Sequence, residues 1–533
     1  MNWKKIGAVA GAAILGFELT GAQMFVLAQT AVPVPQQGAP TAQPKPDQAS
    51  PAQTKPDSRQ PPHDRKISPQ QAKELFRSVD EILRFSSEDS KLPIRSKVKR
   101  RLTTREAVEQ YILEKLKNDE DAKRMQRGEI VLKKFGLIDR DFQLGPFLVS
   151  LLKEQVAGYY DDKTKTVNLL DWIEPEEQKS VLAHELTHAL QDQRVNLEKW
   201  QSKTQTGLSH TVAEDNQHLA VDETDTARDA VLEGQAMAVF LDWQLKPTGK
   251  TLLTAGREVE DRMDQMDDAA DSPVLARAPL LLQQELLFPY RDGLKFETAM
   301  LQDRGVEAAF AGVLDHPPST SYEVMNPHAY EAAQKIPLLR MPDIHGLVDA
   351  DYDPYDVGVM GQLDVRILTE LFGGPAVSRA LTPAWDGGLY YAAQRKSAHT
   401  PEEKASTKSL STLYFSNWKT EEAAQAFATM YAKELGVKYS GVSLDSESDT
   451  PHGEQIYHTS EGPALIVVTG RQVFISESFD LALARKLELL LTGAQQGEQL
   501  RMADASSLRR EDLTSFLRRF LGGCGMMRAG LMH

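Results

Sequence analysis

The sequence predicts a mixed α+β protein that is mostly helical. Three observations carry that prediction. Apolar residues recur at helical spacing in segments starting at Ser68, short β-like runs appear near Tyr159, and a strand-rich stretch begins at Ser411. No internal repeat organises the chain. With 533 residues, 41% hydrophobic and 26% charged, it has the composition of an ordinary globular protein of two or three domains. A net charge of −15 argues against nucleic acid or an anionic membrane surface as partner.

At the N-terminus, Lys4 and Lys5 precede an apolar run, Ile6 to Phe17, and a second run ends at Val26-Leu27-Ala28. Val26 and Ala28 fit a secretory cleavage site, so residues 1–28 are expected to be a signal peptide. Glu18 and Gln23 break the stretch below the roughly 20 apolar residues that span a bilayer. An uncleaved anchor is the alternative and the one route to membrane association. The lone cysteine, Cys524, cannot form an intramolecular disulfide. Residues 29–66 are rich in Pro and Gln, with almost no large apolar groups to bury, and read as a disordered linker.

Folded structure is expected from about Ile67. Ser68 is a candidate N-cap with Pro69 in the first turn, and Thr103 with Glu106 forms a capping box for a second helix. The stretch "EQVAGYYDDKTKTVNLL" reads as two short strands around a turn. A helix with Pro175 near its start follows, then a polar stretch from Gln201 to Asp225 and an apolar helix to about Leu245. The segment "LLLQQELLFPYRDGLKFETAML" reads as helix, break at Pro289-Tyr290, helix. Thr320 and Glu323 form another capping box, and Gly358 to Leu371 looks helical. From Ser411, "STLYFSNW", a helix from Thr420, the strands "ALIVVTG" and "RQVFISES", and a helix from Phe479 to Leu491 suggest a small α+β module. The expected division is 67–335, a helical extension 336–405, the small module 406–500 and a tail 501–533.

Chemistry concentrates in "VLAHELTHALQDQ", residues 181–193. Helical residues four apart project from one face, so His184 and His188 can grip one metal ion, with Glu185 beside it to handle a water. Leu182, Leu186, Ala189 and Leu190 lie on another face that can enter the core. The positions that would carry the Gly and third His of a metzincin are Gln191 and Arg194, which excludes that class. His210 and His218 are weak candidates for a third ligand, and Glu214 and Glu223 are reserves. Glu233 is better placed, in the helical row Ala230, Glu233, Met237, Phe240 and Leu241. A carboxylate buried there needs a metal or a basic side chain as partner. Gly234 beside it implies close approach of another backbone.

"HELTHALQDQ" at 184–193 followed by "AVLEGQA" at 230–236 resembles a family of exported or membrane-associated bacterial and archaeal metallopeptidases of the gluzincin type. "EQVAGYYDDKTKTVNL", "FPYRDGLKF", "HPPSTSYEVMNPHAYE" and "PAWDGGLYY" resemble it too, so the likeness runs from about residue 70 to 490. Ser321 and Asn326 depart from the family pattern in the third of these stretches. The resemblance implies a zincin-like metallopeptidase core over 67–335, with the active-site helix behind a small sheet. It implies zinc held by His184, His188 and Glu233, Glu185 as catalytic base, and a peptide or protein substrate cleaved outside the cytoplasm. Tyr290, placed in a turn by Pro289 and Gly293, or His210 or His218, would stabilise the oxyanion. Asp192 and Asp229, each one turn from a ligand, are candidates to orient the metal-binding side chains. The strand at Val167 to Leu169 would pair with extended substrate.

Two other readings stay open. One is a non-catalytic exported scaffold or substrate-binding protein that retains a zinc site. The other is a structural zinc, against which three ligands argue, since structural sites are normally closed by four.

Overall fold

The computed structural model describes residues 66–108, 119–155, 158–200, 210–255, 273–445 and 453–495. The expected signal peptide, all of the linker but Lys66, and the tail with Cys524 lie outside the described residues. The described chain is mixed α+β and mostly helical.

Helix α1 (Pro69–Ser90) starts as the sequence predicts. The Ser68 hydroxyl accepts from the Gln71 N–H at 3.2 Å, and the Gln71 side chain accepts from the Ser68 N–H at 2.8 Å. Strand β1 (Lys99–Thr103) then runs through the residue expected to cap the next helix. Thr103 is consumed by parallel pairing with Leu170, and Thr104 does the capping, its hydroxyl accepting from Ala107 N–H at 3.2 Å. Helices α2 (Asp119–Phe135) and α3 (Leu144–Gln155) lead to the predicted hairpin, β2 (Tyr159–Asp161) and β3 (Thr166–Leu170). Its turn is closed by Asp161 Oδ1, which accepts from Lys163 and Thr164 N–H at 3.0 and 3.1 Å.

The three strands lie in the order β1-β3-β2. β3 is therefore flanked on both sides, parallel to β1 and antiparallel to β2, with all five residues buried. Val167 and Asn168 are thus already paired on both sides, whereas Leu169 pairs only with β1 among the described strands, so room for the expected substrate pairing at Val167 to Leu169 is confined to Leu169. The end of β3 is tied to helix α4 (Pro175–Val195) by one side chain. Gln178 accepts from Leu170 N–H at 3.0 Å and donates to Leu170 and Ile173 carbonyls at 2.9 and 2.7 Å. Sheet and the helix that carries His184 and His188 are thus locked together within eight residues.

After α5 (Val212–Leu219) come the two long helices α6 (Thr224–Leu245) and α7 (Leu280–Arg304). α7 is continuous, with Pro289 inside it, where the sequence predicted a break. Interior proline costs about 3 kcal/mol, but α7 buries Leu282, Leu286, Leu294 and Phe296 along its length, and that burial outweighs the lost hydrogen bond. α6 and α7 cross at Gly234 and Gly293. A Cβ on Gly234 would stand 2.2 Å from the Gly293 carbonyl oxygen, and one on Gly293 would stand 2.2 Å from that of Ala230. The predicted close approach beside Glu233 is this crossing. Helix α8 (Ser321–Met325) carries the expected Thr320–Glu323 capping box.

The remainder builds one seven-stranded antiparallel sheet, in the order β4-β5-β6-β10-β9-β8-β7. Its strands are β4 (Tyr352–Val359), β5 (Trp385–Arg395), β6 (Leu410–Trp418), β7 (Ser443–Leu444), β8 (Glu454–Thr459), β9 (Gly462–Thr469) and β10 (Gln472–Glu477). Helices α9 (Gln362–Gly373), α10 (Pro375–Leu381), α11 (Glu421–Lys438) and α12 (Leu481–Ala494) accompany it. The expected division at 405/406 is corrected here. Segment 336–405 supplies β4 and β5, and β5 pairs with β6 from Trp385↔Trp418 to Gln394↔Leu410. Gly358, expected in a helix, is in β4. Side chains alternate across the sheet: Tyr390, Tyr414, Ile466 and Ile475 join the core of the N-terminal helices, while Leu389, Phe415, Leu465 and Phe474 join a second core under α12.

Candidate metal centre

α4 carries His184, Glu185 and His188, and α6 carries Glu233; all four side chains are buried. His184 Nε2 lies 3.1 Å and His188 Nε2 3.4 Å from Glu233 Oε2, and the two nitrogens are 3.0 Å apart. The rings meet edge to face, centroids 4.7 Å apart at 85°. One donor atom from each residue lies within 4.8 Å of the other two. Two imidazoles and a carboxylate form a donor set suited to a divalent metal ion. Glu233 Oε1 and His184 Nδ1 are buried without a hydrogen-bond partner among the described residues.

Electrostatics favours a cation here. Burial pushes the His184 imidazole down to about 4, leaving a lone pair available at neutral pH. Burial alone would raise the Glu233 carboxyl, but the facing imidazoles outweigh it and hold it down to about 2. Burial also opposes charge on His188, and the Glu233 carboxylate overcomes it and raises that pKa. The raised His188 and the lowered Glu233 thus offset each other, and a metal ion bound here would take the place of the proton they share.

Glu185 is turned toward the three-stranded sheet, where its Oε2 accepts from the Tyr160 backbone N–H at 2.6 Å. Tyr290 does not sit in a turn. It is buried within α7, its ring stacked at 24° to that of His184 with centroids 6.3 Å apart. The proline that was read as a break instead sits in the helix that brings this ring to the site.

The expected supporting carboxylates differ. Asp192 accepts from Lys165 Nζ at 2.6 Å, Tyr160 hydroxyl at 2.8 Å and Leu197 N–H at 3.1 Å, so it serves β2 and the end of α4 rather than His188. The partner of His188 is Gln191, whose Oε1 lies 2.8 Å from Nδ1. Three residues past a histidine on a helix is contact distance, and that spacing is the signal that could have singled out Gln191. Asp229 is buried one turn before Glu233. His210 is exposed in a loop and its N–H donates to Glu214 at 2.9 Å. His218, within the stretch read as polar, is buried on α5, 3.6 Å from Asp222. Glu223 accepts from the Ser321 hydroxyl and N–H, and Asn326 donates to Gln362 at 2.6 Å. None of His210, His218, Glu214 or Glu223 joins the triad.

A second grouping, Asp303, His328 and Glu331, differs in kind: the His328 side chain is largely in solvent and Arg304 already holds Glu331 at 2.7 Å. No protein-family model, curated protein or solved structure matches the chain.

Proposed function

We propose that this protein is a zinc-dependent peptidase with a zincin-like core, acting on peptide or protein substrates outside the cytoplasm. One observation carries the reading: Glu233 reaches the His184–His188 pair from a separate buried helix, while Glu185 stands beside the cluster and outside it. The resemblance of the 184–193 and 230–236 motifs to gluzincin metallopeptidases supports it, as do the signal-like residues 1–28. His184, His188 and Glu233 would hold the ion.

Bound there, zinc supplies Lewis acidity, lowering the pKa of a water to about 7 and polarising the substrate carbonyl. Glu185 takes the proton from the attacking water and returns it to the departing amine, so one carboxylate serves as base and then as acid. The Tyr160 N–H bond to Oε2 fixes the orientation of that carboxylate. The Tyr290 phenol, stacked beside His184, donates to the oxygen on which charge develops.

The test is metal content together with casein or peptide-library cleavage. Wild type is expected to bind zinc and cleave. Glu185→Gln keeps zinc and loses about 10²–10⁴-fold in rate, and Glu233→Ala loses zinc. Full-rate cleavage by Glu185→Gln would sink the enzyme reading. Zinc binding by a wild type that cleaves nothing would instead leave a scaffold that retains the site.

A further inference from the structure

Behind His188 lies a chain of two buried carboxamides. Gln191 on α4 and Gln235 on α6 are both fully buried. Gln191 Nε2 donates to the Leu232 carbonyl at 3.1 Å and to Gln235 Oε1 at 2.9 Å. Gln235 Nε2 donates to the carbonyls of Ala309 at 2.9 Å and Phe310 at 3.0 Å. Those carbonyls belong to a π-helical turn, Ala308–Gly312, that follows α7. Turns of this kind are uncommon and tend to occur at functional sites.

A carboxamide has two donor hydrogens on nitrogen and acceptor capacity on oxygen. At the far end, the Gln235 nitrogen faces two backbone carbonyls, which can only accept. Its oxygen must therefore face Gln191, which fixes the Gln191 nitrogen toward Gln235 and Leu232. The Gln191 oxygen is then left facing His188 Nδ1, and that nitrogen must carry the proton. The other ring nitrogen, Nε2, is the one directed at Glu233 and His184. Every link has one allowed direction, and the direction is set by main-chain atoms that cannot rotate.

We propose that Gln191 and Gln235 are positioning residues through which the π-helical carbonyls of Ala309 and Phe310 fix the tautomer of His188, presenting its Nε2 lone pair to a metal ion. The same two side chains bind α4 to α6, so the relay also sets the distance between the histidine pair and Glu233. Partners of this kind typically carry 10–100-fold in metal affinity. The proposal rests on the metal-binding reading of His184, His188 and Glu233.

The test is zinc affinity by chelator competition in the full chain, alongside the ¹⁵N resonances of His188 in metal-free protein labelled at histidine. Measured at a pH high enough to make the ring neutral, wild type is expected to show His188 as the Nδ1–H tautomer. Gln191→Leu removes the acceptor, and zinc affinity is expected to fall by about 10–100-fold, with the Nδ1–H signal lost or mixed. Gln235→Leu keeps the Gln191 oxygen but frees its direction, so a mixed tautomer with a smaller loss of affinity is expected. Circular dichroism shows that each variant is folded, and a variant that fails to fold is replaced by Gln191→Met or Gln235→Met. Unchanged zinc affinity in a folded Gln191 variant, or an Nε2–H tautomer in wild type, overturns the relay. Wild type that binds no zinc overturns the metal reading itself, and the two failures are told apart by the wild-type measurement.

Discussion

At the scale of single residues, the site divides by how each group reveals itself. His184, Glu185 and His188 are legible because four-residue spacing on a helix is a geometric statement. Glu233 is legible because a carboxylate in an apolar row needs a partner. Gln191 is marked only by its three-residue spacing from His188, and Gln235 carries no mark at all; uncharged amides are common everywhere, and only the folded chain shows what theirs meet. Tyr290 was singled out for a turn it does not occupy, yet the ring stacks beside His184. If its phenol donates to the developing oxyanion, Tyr290→Phe removes one hydrogen bond made in the transition state and little else. The expected result is a kcat lower by about 10²–10³-fold, with KM and zinc content nearly unchanged. A kcat equal to wild type in steady-state assays would remove Tyr290 from the machinery.

At the scale of elements, the helices of the site depend on a contact of no chemistry at all. α6 and α7 touch backbone to backbone at Gly234 and Gly293. A methyl group at 2.2 Å from a carbonyl oxygen cannot be absorbed by rotating a side chain, so the helices must separate. Gly234→Ala would gain roughly 1 kcal/mol in helix propensity and is still expected to destabilise, because overpacking costs typically 1–3 kcal/mol. Its second effect is specific. Glu233 adjoins the crossing on α6 and Tyr290 lies one turn before it on α7, so zinc affinity falls together with the denaturation midpoint. Urea unfolding and chelator competition on Gly234→Ala check both, and an unchanged affinity would separate the crossing from the site. The glycine was legible as a close approach, whereas the continuity of α7 was not. Proline is a local signal for a break, and the burial that overrides it comes from residues far away in sequence. β5 was hidden for a related reason: eight of the eleven residues of "WDGGLYYAAQR" are buried, seven of them in a row, so it lacks the alternation that marks a half-exposed strand.

At the scale of the molecule, the segments that look separable in sequence share one core and one charge network. Lys134 on α2 is fully buried and donates to Glu461 at 3.0 Å and to the Ser478 hydroxyl at 2.7 Å, both in the C-terminal sheet region. Lys438 and Glu477 form a second buried pair at 2.6 Å. Burial pushes the Lys134 ammonium down to about 8 despite its partners. Burial alone would raise Glu461, but Lys134 and Arg140 outweigh it and hold it down to about 2. A carboxyl whose folded pKa lies below its ordinary 4.5 binds its proton later than in the unfolded chain. Its contribution is therefore complete above pH 4.5 and drains away as pH falls toward 2. Unfolding midpoints measured across that window should fall, and less steeply in Glu461→Gln. At neutral pH the same variant strips the buried Lys134 of its carboxylate partner and leaves it the Ser478 hydroxyl, with an expected loss of about 3–5 kcal/mol. The network also bears on autonomy. A fragment cut at residue 335 would expose the sheet-facing side of the N-terminal core and strand Lys134 without either partner. It is expected not to fold, while the whole chain unfolds in one transition by both tryptophan fluorescence and circular dichroism. A cooperative melt of fragment 67–335 would show that the helices carrying His184, His188 and Glu233 stand alone and that the sheet is an appendage rather than part of their core.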